Sequence, residues 1–356
     1  RTTANTLAAT PVNATTYTVG TNVVFGAGGY VESVGNGTTI SSTGLTAGTT
    51  YYYWVFSFNN SSCTGGPNYL IASPASASTT TGSSITSIAT GNWEDGGTWS
   101  SGVAPTSIDN VTIAATHEVT VNAVAANANS LAINNTGILT VTGSTLTIPT
   151  TLSNAGTLNA NGGILNVTGA ATTGITNAVT TGNFNVAGGT VNLGITNNSF
   201  CNRTFTNSGI LTVSSGNLNV YGNLNNANGS TFNQSGGIVS VDGNAAGILA
   251  NSVAAGTNII GFGTSGTGAT LNLTGGSLIV VDPHATTTAV GGTSNGHAFC
   301  YWGNGYRSNS THTVQIGNGV STDAGGNTSG FQYDIWPGNG YFIAGNLVIN
   351  APTGTN

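Results

Sequence analysis

The sequence contains very little charge. Of its 356 residues only 3% are charged, with nine acidic residues, three arginines and no methionine. An average soluble domain carries about 25% charged residues. The net charge of −6 provides no basic patch, so we expect no nucleic-acid partner. A surface built from Thr, Asn, Ser and Gly leaves trypsin-like proteases few sites and suits an extracellular coat or fibre.

Long apolar runs are also missing. No stretch reaches 18 apolar residues, so we expect no membrane insertion. The chain begins without a signal-peptide pattern and reads as a processed or partial product. Hydrophobic residues nevertheless make up 38%, which is enough for a core. The three cysteines, Cys63, Cys201 and Cys300, are odd in number, so at least one is unpaired within the chain.

A serial repeat of apolar pairs occupies most of the chain, from Val111 to Ile349. In each pair two apolar residues flank one other residue, which is the period of a β-strand. The pairs recur at about 20 residues, as from Leu139 to Leu158 or from Val191 to Leu211. This period, with several short strands per repeat, predicts a parallel β-helix, or solenoid, over residues 111–356 with about twelve coils.

The turn residues agree with a solenoid. Asn-x-Gly recurs at Asn135–Gly137, Asn154–Gly156 and Asn207–Gly209. Asn and Gly tolerate the backbone conformations of tight corners. Asparagine side chains stacked on successive coils can also hydrogen-bond along the solenoid axis.

Residues 1–81 have a different character. The stretch from Gly44 to Asn59, with Leu45, Gly48, Thr49 and Tyr51, resembles the E–F corner and F strand of a fibronectin type III domain. The resemblance implies a β-sandwich in which the Tyr51 hydroxyl bonds back to the backbone. It also implies a partial domain, because the leading two or three of seven strands are missing.

Two faces alternate along this F-like strand. Tyr51, Tyr53, Val55 and Ser57 would face the sandwich core. The opposite face carries four aromatic side chains, which we predict to be buried against another coil or subunit: Tyr52, Trp54, Phe56 and Phe58. We also expect strands near residues 16–25 and 30–42.

A short segment, residues 82–110, separates the two regions. It contains Trp93 and Trp99, followed by Pro105 and Asp109 before a strand. This pattern resembles the entry segment of large adhesin-like surface proteins from bacteria that use type IX secretion. The resemblance implies a right-handed parallel β-helix, often preceded by a fibronectin-like domain. We interpret the two tryptophans as a structural cap over the first coil.

Metal binding is a secondary hypothesis. Glu94, Asp95 and Asp109 offer oxygen ligands of the kind calcium prefers. Their spacing matches no known loop motif, so we expect no cofactor, with calcium the one ion left open.

The last third of the chain contains a second aromatic cluster. One interpretation is a wider core filled by aromatic stacks. The other is a carbohydrate- or partner-binding surface formed by Tyr301, Trp302, Tyr306, Arg307 and Trp336.

An enzyme acting on polysaccharide would need paired carboxylates, or a base with cationic groups. The plausible set is His297, Arg307, His312, Asp323 and Asp334, whose spacing is diagnostic of no mechanism. We therefore expect no enzymatic activity.

These observations together favour an all-β extracellular protein of structural or adhesive function at the cell surface. An incomplete sandwich exposes a groove that an added strand can fill, which predicts a filament or biofilm matrix of copies joined head to tail. The donor could be a cleaved precursor piece, the 345–351 strand of a neighbouring copy, or upstream residues of the same chain. The alternatives are a polysaccharide-active β-helix enzyme and a carbohydrate-binding adhesin segment that does not polymerise, with surface polysaccharide as partner.

Overall fold

A computed structural model gives the architecture of the chain. It describes residues 1–59, 62–168, 175–178, 181–194, 204–242, 259–265, 268–282, 297–300, 305–317, 335–336 and 345–350. The chain divides into two compact units, Arg1–Ser84 and Ile85–Asn356. Each unit is built from β-strands, and the two helices described are single 3-10 turns at Val23–Phe25 and Gly96–Thr98. In this part of the chain no helix is long and apolar enough to span a membrane.

The first unit contains two small antiparallel sheets. Strands β1 (Gly20–Thr21) and β2 (Tyr30–Val31) form one, and β3 (Thr50–Val55) and β4 (Ala75–Thr80) form the other. The predicted strands at 16–25 and 30–42 are therefore much shorter than expected. One reason is that Asn22 Oδ1 accepts from the Val24 N–H at 3.2 Å and starts a 3-10 turn.

The interior of this unit is thin. Phe25 and Tyr51 are its buried large hydrophobic side chains. Val55, predicted to face a sandwich core, is 57% exposed, and Ser57 is exposed as well. That prediction was wrong because no second sheet among the described strands covers this face of β3. All of β4 is exposed too.

The second unit is solenoid-like, with two long sheets whose strands from β6 onward pair in parallel. The first sheet has ten described strands, and each inner strand is hydrogen-bonded to its neighbours in the coil before and the coil after. These strands are β5 Ser84–Thr86, β7 Asn110–Ile113, β10 Ser130–Ile133, β13 Leu152–Asn154, β16 Ile175–Asn177, β18 Thr204–Asn207, β20 Asn223–Ala227, β22 Ile259–Ser265, β24 His297–Cys300 and β27 Ile335–Trp336.

The other sheet has fourteen strands and forms the remaining two sides of each coil. Its strands are β6 Gly91–Asn92, β8 Glu118–Val121, β9 Ala126–Asn127, β11 Ile138–Val141, β12 Thr145–Ile148, β14 Thr157–Ala160, β15 Ile164–Val167, β17 Asn183–Leu193, β19 Ile210–Val220, β21 Thr231–Asp242, β23 Thr270–Asp282, β25 Gly305–Ser308, β26 His312–Ile316 and β28 Asn346–Ile349. In β17, β19, β21 and β23 the two sides are continuous through a bend that contains glycine.

The apolar pairs of the repeat become the core, as predicted. Leu139 stacks on Leu158, and Leu146 on Leu165, in parallel register. These side chains have essentially no exposed surface. Alternate residues point outward because side chains alternate across a strand. Burying each such leucine is worth about 1.5–3 kcal/mol, so the stack stabilises itself coil by coil.

The predicted register was wrong in one place. Val191 pairs with Leu218 rather than with Leu211, which pairs with Phe184. Coils there contain more residues than the average period, because the connections between strands lengthen. For the same reason the prediction of about twelve coils from Val111 to Ile349 was too high, because among the described residues nine strands of this sheet follow β5.

A ladder of buried asparagines runs along one corner of the solenoid. Nδ2 of Asn154 donates to Oδ1 of Asn177 (2.8 Å), Asn177 donates to Asn207 (2.9 Å), and Asn207 to Asn226 (2.9 Å). The glycine two residues after Asn154, and likewise after Asn207, is required by packing. A Cβ at Gly156 or Gly209 would overlap the carbonyl oxygen of the neighbouring coil. This geometry explains why Asn-x-Gly recurs.

The two tryptophans pack together inside the first coil, and their role as a cap stays a prediction. Trp93 and Trp99 are buried, with ring centroids 4.9 Å apart in an edge-to-face arrangement. Trp99 Nε1 donates to the Trp93 carbonyl oxygen at 2.7 Å. They join the same apolar core as the rungs of the following coils, and β5 and β6 end the two sheets on this side.

Candidate functional site

The edge of strand β3 that faces away from β4 is only partly paired. Thr2 exchanges two backbone hydrogen bonds with Tyr52, both 2.9 Å. Backbone groups of alternate residues point to the same edge of a strand. Trp54 lies two residues beyond Tyr52, so its N–H and C=O are directed to this edge, past the point where Thr2 ends the pairing. Thr2 is the one residue of the described chain that bridges β3 here.

A second strand bounds the same gap. The Arg1 main-chain nitrogen donates to the Tyr30 carbonyl at 2.7 Å, and the Tyr30 N–H donates back to Arg1 at 3.0 Å. Residues 1–2 therefore lie between β2 and β3. By the same alternation, the backbone N–H and C=O of Glu32 point to the same side as those of Tyr30, into the space next to Arg1. We call the gap bounded by residues 32–35 and 53–56 the slot.

The slot has apolar walls. It opens into a cavity of about 200 Å³ whose lining includes Phe25, Val34, Ile40, Trp54 and Phe58. Tyr53 and Val55, on one face of β3, also line it, as do Trp54 and Phe56 on the other. The cavity thus wraps around the free edge of β3 and offers apolar surface on both of its faces.

One ion pair closes the end of the slot. The Arg1 guanidinium contacts the Glu32 carboxylate, and both side chains are largely buried. The Arg1 Cζ also lies 4.6 Å from the Tyr30 ring centroid and 5.0 Å from that of Tyr51. The opposite charges of the Arg1 and Glu32 side chains thus compensate each other.

The rest of the unit leaves many apolar side chains in solvent. Ring contacts join Tyr69 to Tyr17 (5.7 Å) and to Phe58 (5.3 Å), and the Tyr69 hydroxyl donates to the Thr15 carbonyl (2.9 Å). Burial raises the pKa of Tyr69. Other apolar residues remain exposed: Val12, Val19, Val23, Val24, Val34, Ile40, Val55, Leu70 and Ile71.

The predicted interface residues lie partly at this slot. Trp54, Phe56 and Phe58 line the cavity, whereas Tyr52 contacts Trp54 at 6.2 Å between ring centroids. Tyr52, Trp54 and Phe56 are half-buried, and Phe58 is 38% exposed. The burial of these four side chains against another coil or subunit stays a prediction. Sequence reasoning missed Arg1, Glu32 and Ile40, which become neighbours of β3 only through the fold.

The predicted carbohydrate surface cannot be assembled from the described side chains. Tyr301 and Trp302 lie outside the described residues. Tyr306 and Arg307 belong to β25, and Trp336 to β27. Whether they form a surface stays a prediction.

The candidate catalytic set loses one member. His312 has no exposed surface, and its Nε2 lies 3.1 Å from Gln234 Oε1 inside the core. Burial lowers its pKa to about 4. A side chain sealed inside the solenoid cannot contact a polysaccharide, so including His312 was wrong. Asp323 and Asp334 lie outside the described residues.

The acidic residues near the cap do not converge. Asp109 Oδ2 accepts from the Thr106 N–H (2.9 Å) and hydroxyl (2.7 Å), which is a local turn. Across the described ranges, no three His, Cys, Asp or Glu side chains cluster as metal ligands would. Cys63 is a free, exposed thiol.

Comparison with known proteins gives no match: no family model fits the chain, and no curated protein or solved structure is similar to it.

Proposed function

We propose that this chain is a subunit of an extracellular filament or matrix at the bacterial surface, assembled head to tail by strand complementation. The slot beside β3 would receive one β-strand from a second copy. The observation that carries the proposal is the free edge at Trp54 and Glu32, with apolar walls on both faces of β3.

The physical case rests on unpaired backbone and exposed apolar surface. Backbone N–H and C=O groups are costly when buried without partners. A strand in the slot would pair with β3 on one edge and with residues 32–35 on the other, and would cover the exposed side chains that line it, Val34, Ile40 and Val55. A contact between two different patches that does not close on itself produces a fibre. With 3% charged residues, copies repel one another weakly.

Two finer features belong to the same proposal. The Tyr51 hydroxyl accepts from the Thr46 N–H at 2.8 Å, and this bond supports a fibronectin type III-like origin for residues 1–81. The resemblance to type IX-secreted surface proteins supports a right-handed coil and a structural or adhesive role, with no catalytic activity and no cofactor.

The test compares two lysine substitutions of matched exposure. Ile40 lines the slot and Ile71 does not, and each is 50% exposed. We expect Ile40→Lys to abolish filaments seen by electron microscopy, because the slot would have to bury an ammonium group. Ile71→Lys is expected to polymerise like the natural chain. Equal polymerisation of both variants, or a natural chain that is monomeric at all concentrations, would overturn the proposal.

A second measurement tests whether the slot itself is the site of polymerisation. A chain carrying an extra strand fused before Arg1 would fill its own slot. If the slot is the polymerisation site, this self-complemented chain stays monomeric in sedimentation experiments. If it polymerises as before, the contact lies elsewhere.

A further inference from the structure

We infer that the strand donated to the slot is β28, Asn346–Ile349, of a second copy. This inference rests on the proposed function and names the partner segment of the same site. Among the described strands, β28 lies at the end of the fourteen-stranded sheet.

Strand β28 keeps its apolar side chains in solvent. It pairs with β26 through Val314 opposite Leu347 and Ile316 opposite Ile349. Val314 and Ile316 are fully buried, whereas Leu347 is 48% and Ile349 61% exposed. The strand therefore continues the inward rung, and no described residue covers its far side. Its far edge has no partner strand within the described chain.

The strand fits the slot in length and chemistry. It has four residues, the same extent as the facing segments 32–35 and 53–56. Its sequence, Asn-Leu-Val-Ile, places Leu347 and Ile349 on one face and Val348 on the other. The slot offers apolar walls on both faces of β3. Neither the strand nor its neighbours Gly345 and Asn350 carries a charge that the slot would have to bury.

Moving β28 into the slot costs little at the solenoid end. While it stays in place, Leu347 and Ile349 form the exposed last rung. Once it leaves, Val314 and Ile316 become the exposed last rung instead, and β26 becomes the free edge. Among the described strands, one uncovered rung and one free edge remain in either arrangement. The strand, however, gains a second paired edge in the slot, and the apolar walls gain cover. The exchange is therefore favourable wherever a second copy supplies the slot.

The orientation follows from Thr2. Thr2 runs antiparallel to β3, and the slot continues its line. A donated strand that pairs with Trp54 and Phe56 is expected to run antiparallel to β3. Within this orientation, the inference places Val348 of the donor opposite Val55 of the acceptor.

Cross-linking between copies tests the pairing. A chain with Cys63→Ser and Val55→Cys is mixed with one carrying Cys63→Ser and Val348→Cys, and a short bis-maleimide is added. We expect a covalent dimer, mapped by mass spectrometry to positions 55 and 348. The control uses Val23→Cys, which is 77% exposed and does not line the slot. It should give at least about tenfold less dimer, the factor expected for an unpaired encounter.

Substitutions in the donor strand test how much its apolar side chains contribute to assembly. Leu347→Asn with Ile349→Asn should raise the concentration needed for polymerisation by about tenfold or more for each side chain that loses its burial. The matched control, Ile164→Asn, changes a strand residue that is 40% exposed on the solenoid's outer face, and should polymerise normally. A peptide Gly-Asn-Leu-Val-Ile-Asn-Ala should inhibit assembly, and the same peptide with Asn at both apolar positions should not.

The outcomes separate this inference from the proposed function. If Ile40→Lys blocks filaments but the Leu347/Ile349 variant polymerises and no 55–348 dimer forms, another strand fills the slot and the β28 inference is wrong. If neither slot nor strand variants affect assembly, both are wrong. A 55–348 cross-link found only within single copies would also overturn the inference.

Discussion

Asn177 donates to Asn207 Oδ1 at 2.9 Å and to the Ile210 carbonyl at 2.9 Å, although 30 residues separate the two asparagines. It also accepts from Asn154 at 2.8 Å. Asn177 has no exposed surface. One amide therefore joins three successive coils, and each of its bonds is made where water cannot replace it.

Substitution at this ladder should be costly. Asn177→Ala removes the donor to Asn207 Oδ1 and to the Ile210 carbonyl oxygen, and leaves Asn154 Nδ2 with its bond to the Asn183 carbonyl alone. Each lost partner costs about 1–3 kcal/mol. Urea titration followed by circular dichroism measures the loss. Asn192→Ala is the control, because Asn192 belongs to a half-buried outer ladder with Asn166 and Asn219, where water can substitute. We expect it to cost less than about 1 kcal/mol. Equal losses would contradict this account.

His312 predicts a pH dependence of stability. Gln234 Nε2 donates to the Ser277 carbonyl (2.9 Å), so its Oε1 is the atom that accepts from His312 Nε2. Burial lowers the pKa of His312 from 6.5 to about 4. Between these values the unfolded chain binds the proton and the folded chain does not. Stability therefore falls as the pH drops from 6.5 to 4, by on the order of 3 kcal/mol, and levels off below.

The measurement for His312 is the free energy of unfolding at several pH values. In His312→Gln the part of the slope due to this residue should disappear. An identical slope in both proteins would show that His312 does not titrate as described.

The glycine corner predicts a steric effect. In Gly209→Ala the new methyl group meets carbonyl oxygens of the coil before it, including that of Gly182. Overpacking of this kind costs about 1–3 kcal/mol. Gly97→Ala is the control, because a Cβ there meets nothing within 4 Å. Thermal unfolding should separate the two variants, and a stable Gly209→Ala protein would require the corner to be wider than described.

The tryptophan pair predicts where the solenoid opens first. Trp99→Ala removes a fully buried ring and the bond to Trp93, at a cost of about 3–5 kcal/mol. Hydrogen exchange should then rise in β7 and β8 while β19 stays protected. Uniform loss of protection along the solenoid would mean that the pair does not act as a cap.

The Tyr51 hydroxyl predicts an effect confined to the first unit. Tyr51→Phe loses the bond from the Thr46 N–H and should cost about 1 kcal/mol. Hydrogen exchange of β3 and β4 should increase, with β19 unaffected. Protection that is unchanged in β3 would show that the bond contributes nothing.

Much of the solenoid could be predicted from the sequence because its signal is local. The apolar pairs Leu139/Val141 and Leu146/Ile148 mark strands by alternation, and their spacing gave the correct partners Leu158 and Leu165. The register after Val191 could not be obtained this way. Pairing is decided by which rungs stack, and a longer connection shifts the partner from Leu211 to Leu218 without changing any local pattern.

The slot was less predictable. The apolar character of Tyr52, Trp54 and Phe56 indicated an interface, but Glu32 and Ile40 carry no signal of their own. They line the slot only because β2 and residues 1–2 fold beside β3. The sandwich core was predicted wrongly at Val55 because alternation tells which side chains share a face, and not whether anything covers that face.

Because its coils differ in residue number, the solenoid is expected to unfold under tension in steps of unequal length. Along the asparagine ladder, successive coils hold 23, 30 and 19 residues. Tension that peels strands from one end releases the chain of one coil at a time. At about 3.5 Å per extended residue, the released lengths are about 80, 105 and 65 Å in that order. A force–extension trace would therefore show one step for each coil. The order of the step lengths would identify the end from which the solenoid unfolds.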